Sequence, residues 1–302
     1  MKKHNLKISQ TNNSTIIKFE TDVFLARQKS YEFKNIDEAK NSPLAQQLFY
    51  LPFVKTVYIS ANFVALQRYD IVEWPDVQEE VKVQIENYLN EGRPVFNEAE
   101  DLKSIPVTVY AEVTPNPAVM KFVANKKLVL KPMEFKSIDD TKQAPLPQAL
   151  FHFPFVKEVF VDENYVSIMK YDIAEWEDIN MELREFIRKH IESGKEIANA
   201  APTPTSSSEK AENVSNINID HLDDTSKQIV AILDEYVKPA VASDGGNIMF
   251  KSYDENTKQV NVILQGACSG CPSSTFTLKN GIESMLKEML QDKVSTVVAI
   301  NG

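Results

Sequence analysis

This chain has very little cysteine and histidine and no long hydrophobic run. It contains two cysteines and four histidines in 302 residues, and the histidines share no metal-like spacing. No apolar run approaches the roughly 20 residues that a membrane helix needs. The first residues, MKKHN, lack the apolar core of a signal peptide. We therefore expect a cytoplasmic protein without a membrane partner, in a reducing compartment where two nearby cysteines indicate metal or redox chemistry.

Basic residues are also in deficit. Lys and Arg number 33 against 43 Asp and Glu, which gives a formal charge of -10. Because nucleic acids and anionic membranes attract positive charge, this balance argues against a nucleic-acid partner. The hydrophobic fraction of 43% is ample for the two or three domains that the length predicts.

The first two thirds of the chain contain an internal duplication. Residues 42–49 (SPLAQQLF) are echoed by residues 144–151 (APLPQALF), and YDIVEW ending at Trp74 is matched by YDIAEW ending at Trp176. The offset of 102 residues, from Trp74 to Trp176, is the size of a small domain rather than of a solenoid repeat. We interpret the two tryptophans as aromatic core anchors of two tandem modules.

Each copy shows the same pattern of elements. In copy 1 the spacing predicts a helix over 42–50, a strand pair over 55–60 and 63–68, and an amphipathic helix over 76–89. A looser match before residue 42 predicts two further strands in each copy. Both modules are therefore predicted to be small α+β domains.

A polar, Pro/Ser/Thr-rich stretch separates the duplication from the rest of the chain. Residues 198–218 have almost no apolar content, which predicts a flexible linker. The next domain is predicted to begin near Ile219. Asp220 or Asp224 is the predicted cap of its first helix, and Pro239 marks the predicted end of that helix.

The C-terminal region has the pattern of a second kind of α+β domain. Alternating apolar residues predict strands over 247–253 and 259–265, an apolar stripe predicts a helix over 274–291, and a last strand is predicted over 294–300. The predicted order is α-β-β-α-β.

Both cysteines, Cys268 and Cys271, lie in one short segment, residues 266–274 (GACSGCPSS). The segment follows a predicted strand and leads into a predicted helix whose first turn accommodates Pro272. We therefore expect both thiols in a surface loop at a helix N-terminus, a setting that lowers the pKa of a thiol, more for Cys271 than for Cys268. The predicted apolar stripe of that helix comprises Phe276, Leu278, Ile282, Met285, Leu286 and Met289.

Four kinds of chemistry compete for this thiol pair. A structural disulfide is disfavoured in a reducing compartment. A thioredoxin-type dithiol needs a βαβ context, which the predicted hairpin does not provide. Structural zinc and an iron–sulfur cluster both prefer four protein ligands. One chain supplies two, but two chains meeting at this segment could supply four thiolates to a cluster.

Two sets of motifs in this chain match a known family. In the C-terminal 80 or so residues they are 244–246 (DGG), 264–274 (LQGACSGCPSS), 275–282 and Met285, and in the duplicated region they are 114–117 (TPNP), 121–122 (KF), 145–146 (PL), Phe151 and Trp176. The first set resembles the C-terminal domain of NifU-like (Nfu-type) iron–sulfur proteins. The second resembles the N-terminal domain that accompanies it in that family, and copy 1 departs from it at residues 11–14 (TNNS).

The resemblance implies four segments. They are an Nfu N-terminal-like repeat over 1–100 (repeat 1), a second over 101–197 (repeat 2), the flexible linker over 198–218, and a NifU-like cluster-binding domain over 219–302.

It also implies a function. A non-enzymatic scaffold or carrier would bind a 4Fe-4S cluster through Cys268 and Cys271 across a homodimer, receive it from upstream cluster-assembly machinery and pass it to apo iron–sulfur client proteins. Two alternatives stay open, a dithiol oxidoreductase and an adaptor that binds clients while its thiols are incidental.

Overall fold

The computed structural model describes residues 4–97, 106–198, 222–269 and 272–301. The chain divides into two compact units, Met1–Val107 and Thr108–Gly302. The first unit holds repeat 1. The second holds repeat 2 together with the C-terminal domain.

Repeat 1 is a five-stranded antiparallel sheet in the order β1-β2-β5-β4-β3. The second helix places Val81, Ile85 and Leu89 in the core, the stripe that its spacing predicted. The elements are β1 (Lys7–Gln10), β2 (Ile16–Glu20), β3 (Ala26–Phe33), α1 (Pro43–Phe49), β4 (Val54–Ala61), β5 (Phe63–Arg68) and α2 (Trp74–Asn90).

Repeat 2 has the same topology, in the order β6-β7-β10-β9-β8. Its elements are β6 (Val109–Val113), β7 (Val119–Ala124), β8 (Met133–Phe135), a 3-10 turn (Ile138–Thr141), α3 (Pro145–Leu150), β9 (Val156–Asp162), β10 (Tyr165–Lys170) and α4 (Trp176–Glu192).

The structure corrects the predicted strand count. The central hairpin and both helices of each copy are confirmed, but three strands precede the first helix where two were predicted. The additional strands are β1 and β6 at the sheet edges, where β6 is exposed beyond Val109. Because an edge strand faces solvent along much of its length, it need not carry the apolar alternation that reveals a strand in a sequence.

The repeated tryptophans are buried to different degrees. Trp74 is 5% exposed and meets the rings of Phe19 and Phe53 edge-on. Trp176 is half-buried. Each indole N–H donates to a main-chain carbonyl, that of Thr15 or of Pro117. The anchoring role holds fully for Trp74 and in part for its counterpart.

The C-terminal domain is a three-stranded sheet in the order β11-β12-β13 with helices before and after the first hairpin. Strands β11 and β12 are antiparallel, and β13 returns parallel to β12 after a helical crossover. The elements are α5 (Asp224–Ile232), a π-helical turn (Leu233–Val237), α6 (Lys238–Ser243), β11 (Gly246–Asp254), β12 (Gln259–Gly266), α7 (Pro272–Leu290), a 3-10 turn (Gln291–Lys293) and β13 (Thr296–Asn301).

The first helical segment of this domain differs from the prediction at both ends. Its cap is Asp223, whose carboxylate accepts from the Ser226 N–H, and not Asp224. Asp220 lies outside the described residues. Pro239 does not end the segment, because α5, the π-helical turn and α6 follow one another without a gap to Ser243, and Pro239 lies in α6.

The crossover helix α7 is present as predicted, but its buried face is narrower. Ile282 and Leu286 are buried. Phe276 and Met289, which were assigned to the same face, are 65% and 45% exposed. The predicted apolar stripe of α7 therefore extends too far along the helix at both ends.

Among the described residues, no helix combines the length and the apolar character needed to cross a membrane. The predicted linker lies outside the described residues except for Ala198.

Replacing Ser42 with Ala should destabilise repeat 1 by about 1–2 kcal/mol, since the buried Ser42 hydroxyl caps α1 through the Ala45 N–H and donates to the Val95 carbonyl oxygen. Urea unfolding followed by Trp74 fluorescence in a Trp176→Phe background measures the change. Ser14→Ala, at an exposed serine, is the control. Equal midpoints for the two variants would contradict the assignment.

Candidate metal centre

Cys268 lies in the connection between β12 and α7. The connection turns at once, because the Ser269 N–H donates to the Gly266 carbonyl oxygen at 3.0 Å. Cys271 lies outside the described residues, and α7 begins at Pro272. The predicted strand–loop–helix setting is therefore confirmed, while the position of the second thiol stays a prediction. We call residues 266–271 the cysteine loop.

Glycines let the cysteine loop close against the preceding turn, residues 243–246, which we call the glycine turn. A Cβ atom at Gly246 would lie 2.7 Å from the Cys268 Sγ atom, and one at Gly266 would lie 2.7 Å from the Gly245 carbonyl oxygen. Gly266 also has φ of +65°, a backbone conformation that other residues adopt at a cost. The two segments are therefore in van der Waals contact around the thiol.

Cys268 is buried, and the prediction of a surface thiol is wrong for this residue. Its side chain is 7% exposed and belongs to the hydrophobic core of the C-terminal domain, with Ile248, Leu264 and Leu286 among the other members. A neutral thiol behaves as a small hydrophobic group. Burial at this place therefore favours the protonated form.

The pKa of Cys268 moves in the direction opposite to that predicted. Burial, with a further contribution from the Asp244 carboxylate, raises the pKa of the thiol to about 11. Burial removes the solvent that stabilises a thiolate, so it disfavours the charged form of this sulfur. In this state of the molecule Cys268 is not a reactive thiolate.

Repeat 2 holds the glycine turn by hydroxyl groups. The Ser167 hydroxyl donates to the Gly245 carbonyl oxygen at 2.7 Å. The Tyr165 hydroxyl donates to the Gly246 carbonyl oxygen at 2.9 Å. Burial raises the pKa of Tyr165, and the nearby Asp162 carboxylate and Cys268 thiol add to the effect, so the phenol remains a donor.

Two longer side chains of repeat 2 reach neighbouring carbonyls. Lys121 Nζ donates to the Ser243 oxygen at 3.2 Å, and Asn116 Nδ2 donates to the Ala267 oxygen at 3.2 Å. Ala267, the residue before Cys268, also packs with Val119 and Met169 of repeat 2. The cysteine loop therefore has both polar and apolar contacts with repeat 2.

The opposite side of the loop is held by a carboxylate. Glu134 Oε1 accepts from the Gly266 N–H at 2.9 Å and from the Ser269 hydroxyl at 3.4 Å. Burial raises the pKa of Glu134, and the Gly266 N–H opposes that shift. The Phe160 ring lies directly under Gly266, where a Cβ would meet it at 2.8 Å.

None of these contact residues of repeat 2 was predicted from the sequence to belong to the site. Asn116 and Lys121 appear there only as part of the family resemblance, and Tyr165, Ser167 and Glu134 not at all. A signal does exist in the duplication, since Tyr165 and Ser167 stand where copy 1 has Phe63 and Ala65. Comparing the copies for differences, rather than for matches, would have found it.

Ligands other than thiols are scarce near Cys268. Within the part of the chain that the structure describes, no group of three or more His, Cys, Asp or Glu side chains is placed to hold a metal ion. The predicted pair, Cys268 and Cys271, therefore supplies at most half of a four-thiolate set.

Comparison with protein families matches three segments of the chain. The family described as "Scaffold protein Nfu/NifU N terminal" matches residues 6–92 and again 109–194. The family described as "NifU-like domain" matches residues 229–298. The two separate N-terminal matches confirm the duplication.

Similar proteins carry related names. A NifU-like protein of Schizosaccharomyces pombe is 31% identical over 214 residues, 68% of this chain and 78% of that protein. A protein of Drosophila willistoni named "NFU1 iron-sulfur cluster scaffold homolog, mitochondrial" is 33% identical over 181 residues. The match spans 59% of each of these two chains. A solution structure of a NifU-like protein from Saccharomyces cerevisiae aligns with a TM-score of 0.31 at 18% identity, covering 35% of this chain and 96% of that one.

The buried thiol leads to a pH prediction. In a Cys271→Ser variant, alkylation of Cys268 in the metal-free protein should rise with pH and reach half its maximum near pH 11, not near the ordinary value of 9.0. At pH 8 the two-unit difference corresponds to about a hundredfold less thiolate than in the unfolded chain. Mass spectrometry of iodoacetamide adducts, with and without guanidinium, measures both rates. Half-maximal labelling of the folded protein at or below pH 9 would contradict the burial.

Proposed function

This chain belongs to the Nfu/NifU family of scaffold proteins, and from that premise we propose that it binds a 4Fe-4S cluster through Cys268 and Cys271 across a homodimer and delivers the cluster to apo-proteins. The observation that carries the proposal is the C-x-x-C pair within a matched NifU-like domain. The family description is of a scaffold, not of an enzyme, which agrees with the expectation that the protein is non-enzymatic. The domain bounds 1–100, 101–197, 198–218 and 219–302 are part of the same proposal.

The count of thiols favours a shared cluster. Iron–sulfur clusters are held by four thiolates, and this chain contains two cysteines. Two cysteine loops brought together supply the full set without any other ligand type. A cluster held half by each chain is also released when the chains separate, which suits a carrier.

Loading is coupled to deprotonation and exposure of Cys268. Metal binding requires the thiolate, and the pKa of this thiol is raised while it is buried. Iron binding therefore releases a proton from Cys268 and removes the sulfur from its apolar surroundings. Because deprotonating and exposing the thiol both make cluster binding less favourable, both favour release of a bound cluster.

The same two properties disfavour the oxidoreductase alternative. A dithiol catalyst attacks disulfides with an accessible thiolate of low pKa. Cys268 is 7% exposed and its pKa is raised, so at neutral pH it is a poor nucleophile. No observation favours the adaptor alternative with incidental thiols.

The partners we propose are apo iron–sulfur clients and the upstream assembly machinery. The net charge of -10 keeps nucleic acid outside the proposal. The cytoplasmic location stays a prediction, and the Drosophila relatives are named as mitochondrial proteins.

Anaerobic reconstitution with iron and sulfide should give about four irons per two chains and convert monomer to dimer, because each chain offers half of the ligand set of a cubane cluster. Iron analysis with sedimentation velocity measures both quantities. Cys268→Ser and Cys271→Ser should each abolish loading, and the exposed Ser14→Ala is the matched control. A stably loaded monomer would rule out the shared cluster.

Loaded protein should restore the activity of an apo iron–sulfur dehydratase while free iron is chelated, because direct transfer does not pass through solution. The rate is compared with that of free iron and sulfide under the same chelator. The metal-free protein is also assayed for reduction of a model disulfide. Efficient disulfide reduction without protected transfer would favour the oxidoreductase instead.

A further inference from the structure

The two repeats present equivalent sheet faces, and the strand register identifies matching positions. Ala65 pairs with Lys18 in repeat 1, and Ser167 pairs with Lys121 in repeat 2. The lysine lies over an aromatic ring in both, 4.4 Å from the centroid of Phe63 and 4.7 Å from that of Tyr165. Position by position, the faces are therefore comparable.

The face of repeat 2 is covered by Gly266, Ala267 and the glycine turn, whereas that of repeat 1 is an open groove among the described residues. The repeat 1 groove encloses about 490 Å³. At the corresponding place in repeat 2, where Gly266 enters, about 10 Å³ remains. The lining of the repeat 1 groove includes Glu32, Phe63 and Ala65.

The faces differ where repeat 2 donates hydrogen bonds. Tyr165 and Ser167 donate to the two carbonyls of the glycine turn. Repeat 1 has Phe63 and Ala65 there, which have no hydroxyl to donate. Three other features of the two faces match: Lys18 corresponds to Lys121, Glu32 corresponds to Glu134, and Asn13 forms the same turn as Asn116.

We propose that the sheet face of repeat 2 is the chain's own docking surface for the glycine turn and the adjoining start of the cysteine loop in the metal-free protein, that Tyr165 and Ser167 make it specific for the glycine turn, and that both segments leave it when a second chain shares a cluster. This proposal rests on the proposed function. It assigns the two repeats different roles, since repeat 1 lacks both hydroxyls.

Recognition is largely through the main chain of the glycine turn and the start of the cysteine loop. Carbonyl oxygens of residues 243, 245, 246 and 267 accept from repeat 2, and the Gly266 N–H donates to it. These groups all precede Cys268 in sequence, and the Gly246 backbone lies against the Cys268 sulfur. Any approach of a second cysteine loop to this sulfur must displace some of them.

Docking and cluster sharing therefore exclude each other. A bridging cluster needs the Cys268 sulfur exposed to iron and to a second chain, whereas in the docked form Cys268 is 7% exposed and its side chain packs in the core of the C-terminal domain. The docked form shields the thiol while no cluster is present. Repeat 2 therefore covers the proposed cluster-binding site in the metal-free protein.

The direct test gives repeat 2 the residues of repeat 1. In a Cys271→Ser background, Tyr165→Phe with Ser167→Ala should raise the alkylation rate of Cys268 in the metal-free protein about tenfold or more, because each lost hydrogen bond weakens docking severalfold. The labelling reagent is iodoacetamide at one fixed pH. Since Phe and Ala occupy these positions in repeat 1, the exchange is compatible with the fold.

The matched control is the reciprocal exchange, Phe63→Tyr with Ala65→Ser, which should leave the Cys268 rate unchanged. Circular dichroism checks that both variants fold. A second variant, Glu134→Ala, removes the acceptor for the Gly266 N–H and should also raise the rate, whereas Glu32→Ala should not. Unchanged labelling in both repeat 2 variants would overturn the proposal.

The outcome separates this proposal from the function on which it rests. With both cysteines present, the Tyr165→Phe, Ser167→Ala protein should take up iron and sulfide faster than the wild type, to the same final iron content. Faster labelling of a protein that never binds a cluster would support docking and overturn the carrier function. Normal cluster loading with unchanged labelling would support the carrier function and overturn docking.

Discussion

Close backbone approach at three glycines brings together Cys268, the glycine turn and the sheet of repeat 2. At Gly245 a Cβ would lie 2.8 Å from the Ser167 hydroxyl, at Gly246 it would meet Cys268, and at Gly266 it would meet Phe160. Only residues without side chains allow the loops and the sheet to come this close. The hydrogen bonds from repeat 2 to the residues before Cys268 follow from this approach, and the core of the C-terminal domain buries the thiol itself.

Because of the duplication, the chain has two copies of the same sheet face, and their side chains differ. Repeat 1 keeps the lysine, the acidic residue and the asparagine turn but lacks both hydroxyls, and its groove is open. Repeat 2 has them, and its face is covered. The same fold thus provides two sheet surfaces. The surface of repeat 2 binds backbone carbonyls through two hydroxyls that repeat 1 lacks at the matching positions.

Local pattern predicted most of the fold. The duplication, the hairpin around Ala61, the strand leading to Cys268 and the helix after it follow from periodicity and turn residues over short stretches. The edge strands β1 and β6 were not predicted, because few of their residues are buried and their apolar alternation is weak. The contact of the cysteine loop with repeat 2 could not be predicted this way, because the partners lie far away in sequence, as Asn116 lies 151 residues from Ala267. Those partners also hold main-chain atoms, which leave no residue pattern, and the polar linker suggested independent domains.

Hydrogen–deuterium exchange on the metal-free and the anaerobically loaded wild-type protein tests the central claim most directly. The account predicts that loading increases exchange in peptides covering β7, β9 and β10 of repeat 2, because the loop departs, while peptides of the cysteine loop become more protected within the dimer. The matching strands of repeat 1 should not change. Loading that protects the loop and leaves repeat 2 as it was would contradict the account.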